Sequence, residues 1–345
     1  MRTISHFIDG QSVTRTGAVT SPVYDPSTGQ AQAHLEHGDA SILAEAVAVA
    51  KAAQPAWAAI NPQRRARVMF KFKESIEEHR QELVHLMSSE HGKLLDDSAG
   101  ELQRGLDVME FVCGVPHLQK GEFTQGAGPG INVYSILEPL GVVAGLPPFN
   151  FPAMIPLWMV APAIAVGNAF ILKPSERTPS LAVRIAELAL EAGVPPGTLN
   201  IVHGDKDVGQ LITDHPDIKA VSFIGSTAVA KFVYARGAGN GKRMQCMGGA
   251  KNHGVILPDA DLNQVVVDVL AGAFGSAGER CMAMPVIVPV GQKMAEAVRE
   301  RLLQEIPKLR IGVAADPDAQ MGPVVTAEHK NEDRRLYRAV GRRGR

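Results

Sequence analysis

The order of apolar and polar residues along this chain changes character twice. The first forty residues mix both kinds around turn signals such as FIDGQ and YDPSTGQ, which predicts extended and turn structure. Two segments that follow, AVAVAKAAQPAWAAI and RVMFKFKESIEEHRQELVHLM, carry apolar residues at helical spacing. The pattern therefore predicts a helical N-terminal region.

From about residue 131 onward, short apolar runs alternate with helical segments. In order they read YSILEPLGVVAGL, AFILK, LAVRIAELALEAG, LNIVHG, KDVGQLITDH, IKAVSFIGS and TAVAKFVYARG. Such alternation is typical of βαβ crossovers around a parallel sheet. We predict an α/β fold in which residues 1–250 form a first domain from the helical region and this sheet.

A second α/β segment begins near residue 251. GVILPDAD predicts a strand and a turn, and Asp261 is suited to cap the helix of LNQVVVDVLAGAFG, which leads to Cys281 in the loop beyond its C-terminal end. PVIVPV and KMAEAVRERLLQEI continue as a strand and a helix, so we assign residues 251–330 to a second domain.

The last fifteen residues, NEDRRLYRAVGRRGR, contain six arginines and little apolar periodicity. We expect residues 331–345 to be a basic tail outside this fold.

Composition narrows the class of protein. A chain of 345 residues with 45% hydrophobic residues is long enough for about two domains with their own cores. The net charge of -1 is spread along the chain, which predicts small neutral or anionic substrates and neither nucleic acid nor a membrane surface as partner. No apolar run reaches the roughly 20 residues of a membrane span, and MRTISHFIDG lacks the apolar core of a signal peptide. We expect a cytoplasmic protein.

The strand ends invite a search for a nucleotide site. Neither G-x-G-x-x-G nor G-x-x-x-x-G-K-[ST] occurs, but FILKPSE and SFIGST open from strands into turns, where open α/β sheets bind ligands. Lys173 and Glu176 are candidates for ribose hydroxyls, and Gly225 and Ser226 for offering backbone amides to a pyrophosphate. Alternatively, Pro174 and Gly225 merely end the strands.

Two residues have the chemistry of a reaction centre. Asn150, in PPFNFPAMIPLWM, is a candidate donor to a developing oxyanion, or else a loop asparagine that bonds its own backbone. Cys281, in FGSAGERCMAMPV, lies beside Arg280, and a neighbouring arginine lowers the pKa of a free thiol from about 8.5. A buried, unreactive role is the alternative for Cys281. Cys113 and Cys246 lie among apolar residues and are predicted to be core.

No metal site or disulfide framework is indicated. Three distant cysteines and eleven scattered histidines lack metal-ligand spacing, and no G-x-S-x-G elbow of a hydrolase is present.

PFNFP, KPSE, FIGST, GGAKN and GERCMA, in this order, resemble the aldehyde dehydrogenase superfamily from about residue 5 to about residue 330. The resemblance implies a Rossmann-type parallel-sheet NAD domain plus an α/β catalytic domain. It implies that Cys281 attacks the aldehyde and forms a thioester, while Asn150 and the backbone amide of Cys281 form the oxyanion hole. The residues that it assigns to the NAD site are Phe149, Lys173, Glu176, Arg177 and Ser226.

A missing residue narrows the resemblance. Hydrolysing members have a glutamate before the Gly-Gly motif, where this chain reads QCMGGAKN and offers only Cys246 or Met247, neither of which is a general base. The chain thus resembles the CoA-acylating methylmalonate-semialdehyde dehydrogenase branch, in which the thiol of coenzyme A accepts the acyl group. This implies NAD-dependent oxidation of malonate or methylmalonate semialdehyde to acetyl-CoA or propanoyl-CoA with release of CO2.

The same resemblance places the substrate carboxylate on Arg104 and Arg280, and it fits valine, thymine or inositol breakdown. For Arg104, a solvated helix charge is the alternative. Pro147 departs from the usual residue at its turn, so we expect altered contacts around the nicotinamide there.

Members of this family are longer, which leads to a second hypothesis. We expect an incomplete catalytic domain, a tail translated in a shifted frame, poor solubility and weak or no turnover. Residues of about 120–140 are a candidate oligomerisation segment. Relatives form dimers or tetramers, but through elements that this chain lacks, so its own oligomeric state is open. The alternatives to the CoA-acylating enzyme are an inactive truncated member and a hydrolysing enzyme that uses Glu279.

Overall fold

The computed structural model describes residues 1–343, with side chains to residue 338, as two compact units. Unit 1 consists of Met1–Ser21, His34–Leu83 and Glu101–Gly248, and unit 2 of Pro22–Ala33, Val84–Gly100 and the chain from Gly249 onward. The predicted boundary at residue 250 lies next to the last of these divisions. The sequence did not indicate that two earlier segments, 22–33 and 84–100, belong with the C-terminal part.

The strands are short, as the length of the apolar runs predicts. In chain order they are β1 (Arg2–Ile4), β2 (His6–Ile8), β3 (Gln11–Val13), β4 (Thr20–Asp25), β5 (Gln30–Glu36), β6 (Phe123–Gly128), β7 (Ile131–Tyr134), β8 (Val142–Leu146), β9 (Ala169–Leu172), β10 (Leu199–Ile201), β11 (Ile218–Ile224), β12 (Arg243–Met247), β13 (His253–Ile256) and β14 (Val286–Pro289).

The helices include those that the periodicity predicts. They are α1 (Ala40–Ala59), α2 (Pro62–Glu78), α3 (Arg80–His91), α4 (Leu95–Cys113), α5 (Val115–Leu118), α6 (Met154–Ala165), α7 (Ser180–Glu191), α8 (Lys206–Asp214), α9 (Thr227–Gly239), α10 (Leu262–Phe274), α11 (Gln292–Glu305) and α12 (Ala327–Arg343), with 3₁₀ turns at Gly275–Gly278 and Ile306–Lys308.

Unit 1 is built on a seven-stranded sheet in the order β12-β11-β8-β9-β10-β2-β3. Strands β8 to β12 pair in parallel, and β2 and β3 add an antiparallel edge. Helices α6 to α9 alternate with these strands along the chain, as the sequence pattern predicts. The chain builds outward from β8 through β9 to β10, and then crosses to β11 on the other side of β8. The strand order therefore reverses between β8 and β11.

The core of unit 1 explains why these strands are almost wholly apolar. Every residue of β8 and β9 is buried, as expected where helices cover both faces of a parallel sheet. Helix α1 packs Ala46, Val47 and Ala50 into the same core cluster as Val142 and Ile171. Each large aliphatic side chain buried here contributes about 2 kcal/mol of transfer free energy. The central strands, and hence their ends, are firmly placed.

Unit 2 has a smaller sheet. Strands β13 and β14 pair in parallel, with His253 opposite Val286; α10 lies between them in the sequence and α11 follows β14. Apolar side chains on and after these strands stay exposed, among them Val255, Leu257 and Val288. The described residues therefore leave part of the apolar surface of these strands uncovered.

The C-terminal segment forms a helix. Residues 331–343, which belong to the basic tail expected outside the family fold, continue the helix α12. Glutamate and arginine are good helix formers, and the acidic residues lie toward the start while the arginines lie toward the end, which suits the helix dipole.

Two further features of the described residues concern surfaces. Strands β6 and β7 form an antiparallel hairpin in unit 1 that leaves Phe123, Ile131 and Tyr134 exposed. Within residues 1–343, no helix combines the length and the apolar character that crossing a bilayer requires.

Candidate active site

In unit 1, the carboxyl ends of three parallel strands place most of the predicted cofactor residues. Phe149 and Asn150 follow β8, Lys173 follows β9, and Gly225 and Ser226 follow β11. Because the strands are parallel, these ends meet at one edge of the sheet, and the reversal of strand order between β8 and β11 opens a crevice at that edge. The topology thus brings together residues that are far apart in the sequence.

Lys173 is fixed at this edge as a buried ammonium group. Its Nζ donates to the carbonyl oxygens of Pro174 at 2.9 Å and Gly204 at 2.6 Å, and it lies 3.7 Å from Oε2 of Glu176. Burial lowers the pKa of Lys173, while the carboxylates of Glu176 and Asp205 act in the opposite direction. The Glu176 carboxylate is partly exposed, so this pair presents a negative group to solvent above a buried positive one.

Arg177 connects the loops that follow β8 and β9. Its guanidinium lies 5.1 Å from the centroid of the Phe149 ring, a cation–π arrangement. The hydroxyl of the neighbouring Thr178 donates to the Phe149 carbonyl oxygen at 3.2 Å. Phe149 and Arg177, which the resemblance assigned to the NAD site, therefore contact each other.

The turn between β11 and α9 is shaped for an exposed helix start. Ser226 caps α9, and its Oγ accepts from the backbone N–H of Val229 at 3.5 Å. A Cβ at Gly225 would lie 2.5 Å from the Phe223 ring, so a larger residue does not fit without a shift. Ser226 and Thr227 are exposed, which leaves the positive end of the helix dipole open to an anion.

Asn150 lies in the loop that leads into α6, and a residue that sequence reasoning missed holds this helix start. Glu101, on α4, is 1% exposed, and its Oε1 accepts from the backbone N–H groups of Ala153 at 2.7 Å and Met154 at 3.0 Å. Ala153 has no capping side chain of its own. An acid next to Leu102 on an otherwise apolar helix face is the signal that could have indicated Glu101.

Arg104 lies one turn further along α4 and is exposed. Its backbone carbonyl accepts from Nε1 of Trp158 at 3.3 Å, which leaves the guanidinium outside this contact.

Cys281 belongs to unit 2 and is exposed, in the loop that follows α10. Asp261 caps α10 as predicted, accepting from the backbone N–H groups of Asn263 and Gln264. Asn252, from the GGAKN motif, donates its Nδ2 to the carbonyl oxygens of Cys281 at 2.8 Å and Ala283 at 2.7 Å. Those two bonds hold the backbone from Cys281 to Ala283, on the C-terminal side of the thiol.

The side chains of Glu279 and Arg280, the two residues before Cys281, contact other residues of unit 2. The guanidinium of Arg280 pairs with the carboxylate of Asp97, which lies in the first turn of α4. Glu279 is nearly buried, with Oε1 accepting from the backbone N–H of Val325 at 3.3 Å and Oε2 lying 3.9 Å from Nε2 of His91. Burial holds the pKa of His91 well below its usual range, so this contact is with a neutral imidazole.

The other two cysteines differ from Cys281. Cys113 is buried at the end of α4, and Cys246 is half-buried in β12 against the core, as the sequence predicts. Burial raises the thiol pKa of both. Met247, 46% exposed, ends β12, so neither candidate for the position of the missing glutamate carries a carboxylate.

Among the residues whose side chains the structure describes, no three or more of His, Cys, Asp and Glu are arranged to hold an ion.

Comparison with known proteins gives consistent results. The sequence model of the aldehyde dehydrogenase family matches residues 13–343, a range that includes most of the segment expected to lie outside the family. The malonate-semialdehyde dehydrogenase of Pseudomonas aeruginosa is 48% identical over 327 residues, which are 95% of this chain and 66% of that protein. Malonate-semialdehyde dehydrogenase 3 of Geobacillus kaustophilus is 47% identical over 329 residues, 95% of this chain and 68% of that protein. The chain spans about two thirds of the length of these curated relatives.

Two solved structures superpose closely. A Sinorhizobium meliloti protein presented as a methylmalonate-semialdehyde dehydrogenase, in complex with NAD, has a TM-score of 0.98 and 54% identity over 100% of this chain and 70% of its own. The methylmalonate-semialdehyde dehydrogenase of Oceanimonas doudoroffii has a TM-score of 0.98 and 44% identity, with the same coverage. From the family match and from identities of this size along nearly its whole length, the chain belongs to the aldehyde dehydrogenase family.

Proposed function

We propose that this chain carries the NAD-binding and nucleophile-bearing parts of a CoA-acylating semialdehyde dehydrogenase that oxidises malonate or methylmalonate semialdehyde. The observation that carries the proposal is the end of β12, where Cys246 and Met247 occupy the place of a general base. Relatives named for these two semialdehydes, at 44–54% identity, support the substrate class.

The residues of unit 1 fit a dinucleotide. The exposed N-terminus of α9, with Ser226, suits a pyrophosphate, and Lys173 with Glu176 suits ribose hydroxyls at the neighbouring strand end. The two groups lie at one edge of the sheet, on either side of the strand-order reversal. In the Sinorhizobium meliloti relative this cofactor is NAD.

Cys281 supplies the nucleophile in this proposal. Its thiolate sulfur bonds to the aldehyde carbon, and the former carbonyl oxygen takes the negative charge, to which the family resemblance has Asn150 donate. As the oxygen re-forms its double bond, hydride leaves the carbon and is accepted by NAD, which is the chemistry that the cofactor supplies. The acyl group stays on Cys281 as a thioester.

Release of the acyl group then follows from the missing base. Without a carboxylate at position 246 or 247 to activate water, the thiol of coenzyme A is the better acceptor. Its sulfur, after loss of the thiol proton to solvent, attacks the thioester carbonyl, and the Cys281 thiolate leaves. The carbon–carbon bond to the substrate carboxylate breaks to release CO2, and the carbon that keeps the electron pair takes up a proton from solvent. The product is acetyl-CoA from malonate semialdehyde and propanoyl-CoA from the methyl-substituted substrate.

The two arginines proposed for the substrate carboxylate differ in availability. Arg280 is paired with Asp97, whereas Arg104 is exposed. A guanidinium suits a carboxylate because it donates two parallel hydrogen bonds. We assign the first recognition of the carboxylate to Arg104.

The hydrolysing alternative depends on Glu279. Its carboxylate is nearly buried, with one oxygen on the N–H of Val325 and the other beside His91, which leaves little access for water. The geometry of Glu279 therefore favours a structural role.

One assay separates the three hypotheses. NADH formation from malonate semialdehyde is followed with and without coenzyme A, and acetyl-CoA is identified as the product. CoA-dependent turnover is expected; steady turnover without coenzyme A would establish hydrolysis, and no turnover from folded, soluble protein would establish an inactive member. Cys281→Ala is expected to lower the rate by about 10⁴-fold or more, whereas Cys113→Ala serves as the matched control.

A further inference from the structure

The turn that leads to Cys281 has an unusual backbone. Ser276 and Ala277 have φ angles of 52° and 53°, and Gly278 follows at 76°, so three successive residues adopt the left-handed conformation. For a residue with a side chain, this conformation costs about 1 kcal/mol. Such a run persists only where surrounding contacts hold it.

Asp97 provides those contacts at both ends of the run. Its Oδ2 accepts from the backbone N–H of Ser276 at 3.0 Å, and its Oδ1 accepts from Nη2 of Arg280. The Asp97 and Arg280 side chains are only 20% and 25% exposed, so this ion pair is better shielded than a surface pair. A single carboxylate thus binds both ends of the turn, which runs from residue 276 to residue 280.

The guanidinium of Arg280 fills the inner side of the same turn. A Cβ at Gly275 would lie 2.5 Å from Nη1 of Arg280, so the two residues touch. While Arg280 is held inside, the next residue, Cys281, is exposed.

We infer that Asp97 is a positioning residue for Cys281. By holding Arg280 and Ser276 together it fixes the direction in which the thiol leaves the turn, and it balances the charge of the arginine that precedes the cysteine in the chain. The inference rests on the proposed role of Cys281 as nucleophile. The inference concerns two separate properties of the thiol. An arginine whose charge no carboxylate neutralises increases the intrinsic reactivity of the sulfur, whereas the turn fixes the direction in which the sulfur points.

Alkylation of the 345-residue chain by iodoacetamide tests this without any turnover. The thiolate displaces iodide, and peptide mass spectrometry gives the rate at each cysteine separately. Asp97→Asn is expected to speed alkylation of Cys281 at pH 7 by about threefold to tenfold, because Arg280 is then unbalanced. Asp96→Asn removes the same charge from the exposed neighbouring position and is expected to match the parent chain.

Two further variants keep the test decisive if Asp97→Asn folds poorly. Arg280→Gln leaves the Asp97 charge unbalanced and is expected to slow alkylation of Cys281, and the double variant is expected to return toward the parent rate. The buried Cys113 reports unfolding and should stay unchanged throughout. Equal rates for Asp97→Asn and Asp96→Asn, or a rise shared by Cys113, would overturn the inference.

Steady-state kinetics give a second test of the positioning role of Asp97. Asp97→Asn is expected to lower kcat by about tenfold while the KM for NAD stays unchanged. In this variant the sulfur is more reactive but less well oriented toward the aldehyde carbon. An unchanged kcat would contradict positioning. Absence of turnover in the parent chain would count against the proposed function alone and leave the alkylation result readable.

Discussion

The cofactor edge of unit 1 and the cysteine loop of unit 2 are held in different ways. Strands β8 and β9, whose ends carry Asn150 and Lys173, are buried along their whole length. The loop of Cys281 follows α10 and leads into β14 of a two-stranded sheet with exposed apolar residues. Side chains such as Asn252 and Asp97 hold this loop through individual polar bonds. The first region is positioned by hydrophobic burial and topology, the second by hydrogen bonds and one ion pair.

The largest expected effect concerns this difference in burial. Ile171→Ala, in β9, removes a side chain that is 0% exposed and should lower the free energy of unfolding by about 4 kcal/mol. Ile311→Ala, the same change at a 70% exposed position of unit 2, should cost less than about 0.5 kcal/mol. Urea unfolding followed by circular dichroism measures both. Tryptophan fluorescence reports unit 1 specifically, because Trp57 and Trp158, the two tryptophans of the chain, lie there.

A cost at Ile311 that approaches the cost at Ile171 would break the comparison. It would mean that the exposed apolar residues of unit 2 are covered in solution, for example by association between chains, which light scattering can detect.

The same contrast explains how far the sequence alone could lead. Apolar runs such as AFILK and IKAVSFIGS predict the parallel strands, and parallel strands place Lys173 and Ser226 at one edge; periodicity and motif were sufficient there. Asp97 is 183 residues from Arg280 and 179 from Ser276 in the chain. The sequence around an aspartate in the first turn of a helix does not predict such distant partners. Glu101 was missed for the same reason, since its partners are backbone amides about fifty residues away.

Acid should weaken unit 1 through His6. This imidazole is fully buried, with Nδ1 accepting from the backbone N–H of His203 at 3.0 Å, and burial, followed by the charge of Arg15, lowers its pKa from 6.5 to about 4. As pH falls, the unfolded chain takes up the proton near 6.5 while the folded chain does not until about 4. Stability should therefore be complete above about pH 6.5 and decline by about 3 kcal/mol toward pH 4.

Urea midpoints from tryptophan fluorescence at several pH values check this. His6→Gln cannot titrate and should flatten the decline between pH 6.5 and 4, although His203, whose pKa burial also lowers, retains part of it. An equally steep decline in His6→Gln would remove His6 as the cause. The carboxylates of Asp214 and Asp217 contribute little to the change in stability between pH 6.5 and 4, because Arg236 and Lys51 lower their pKa values below 3.8.

A small effect on overall stability, and the sharpest local one, is expected at Asn252. Asn252→Asp keeps the shape but removes both N–H donors to the carbonyls of Cys281 and Ala283, and places a negative charge against them. Because the side chain is exposed, the free energy of unfolding should fall by only about 1 kcal/mol. Amide hydrogen exchange in residues 279–284 should nevertheless speed markedly, while exchange in β9 stays slow, since local opening follows local contacts. If both regions change together, the loop and the core are one cooperative structure, and the two ways of holding the site are not independent.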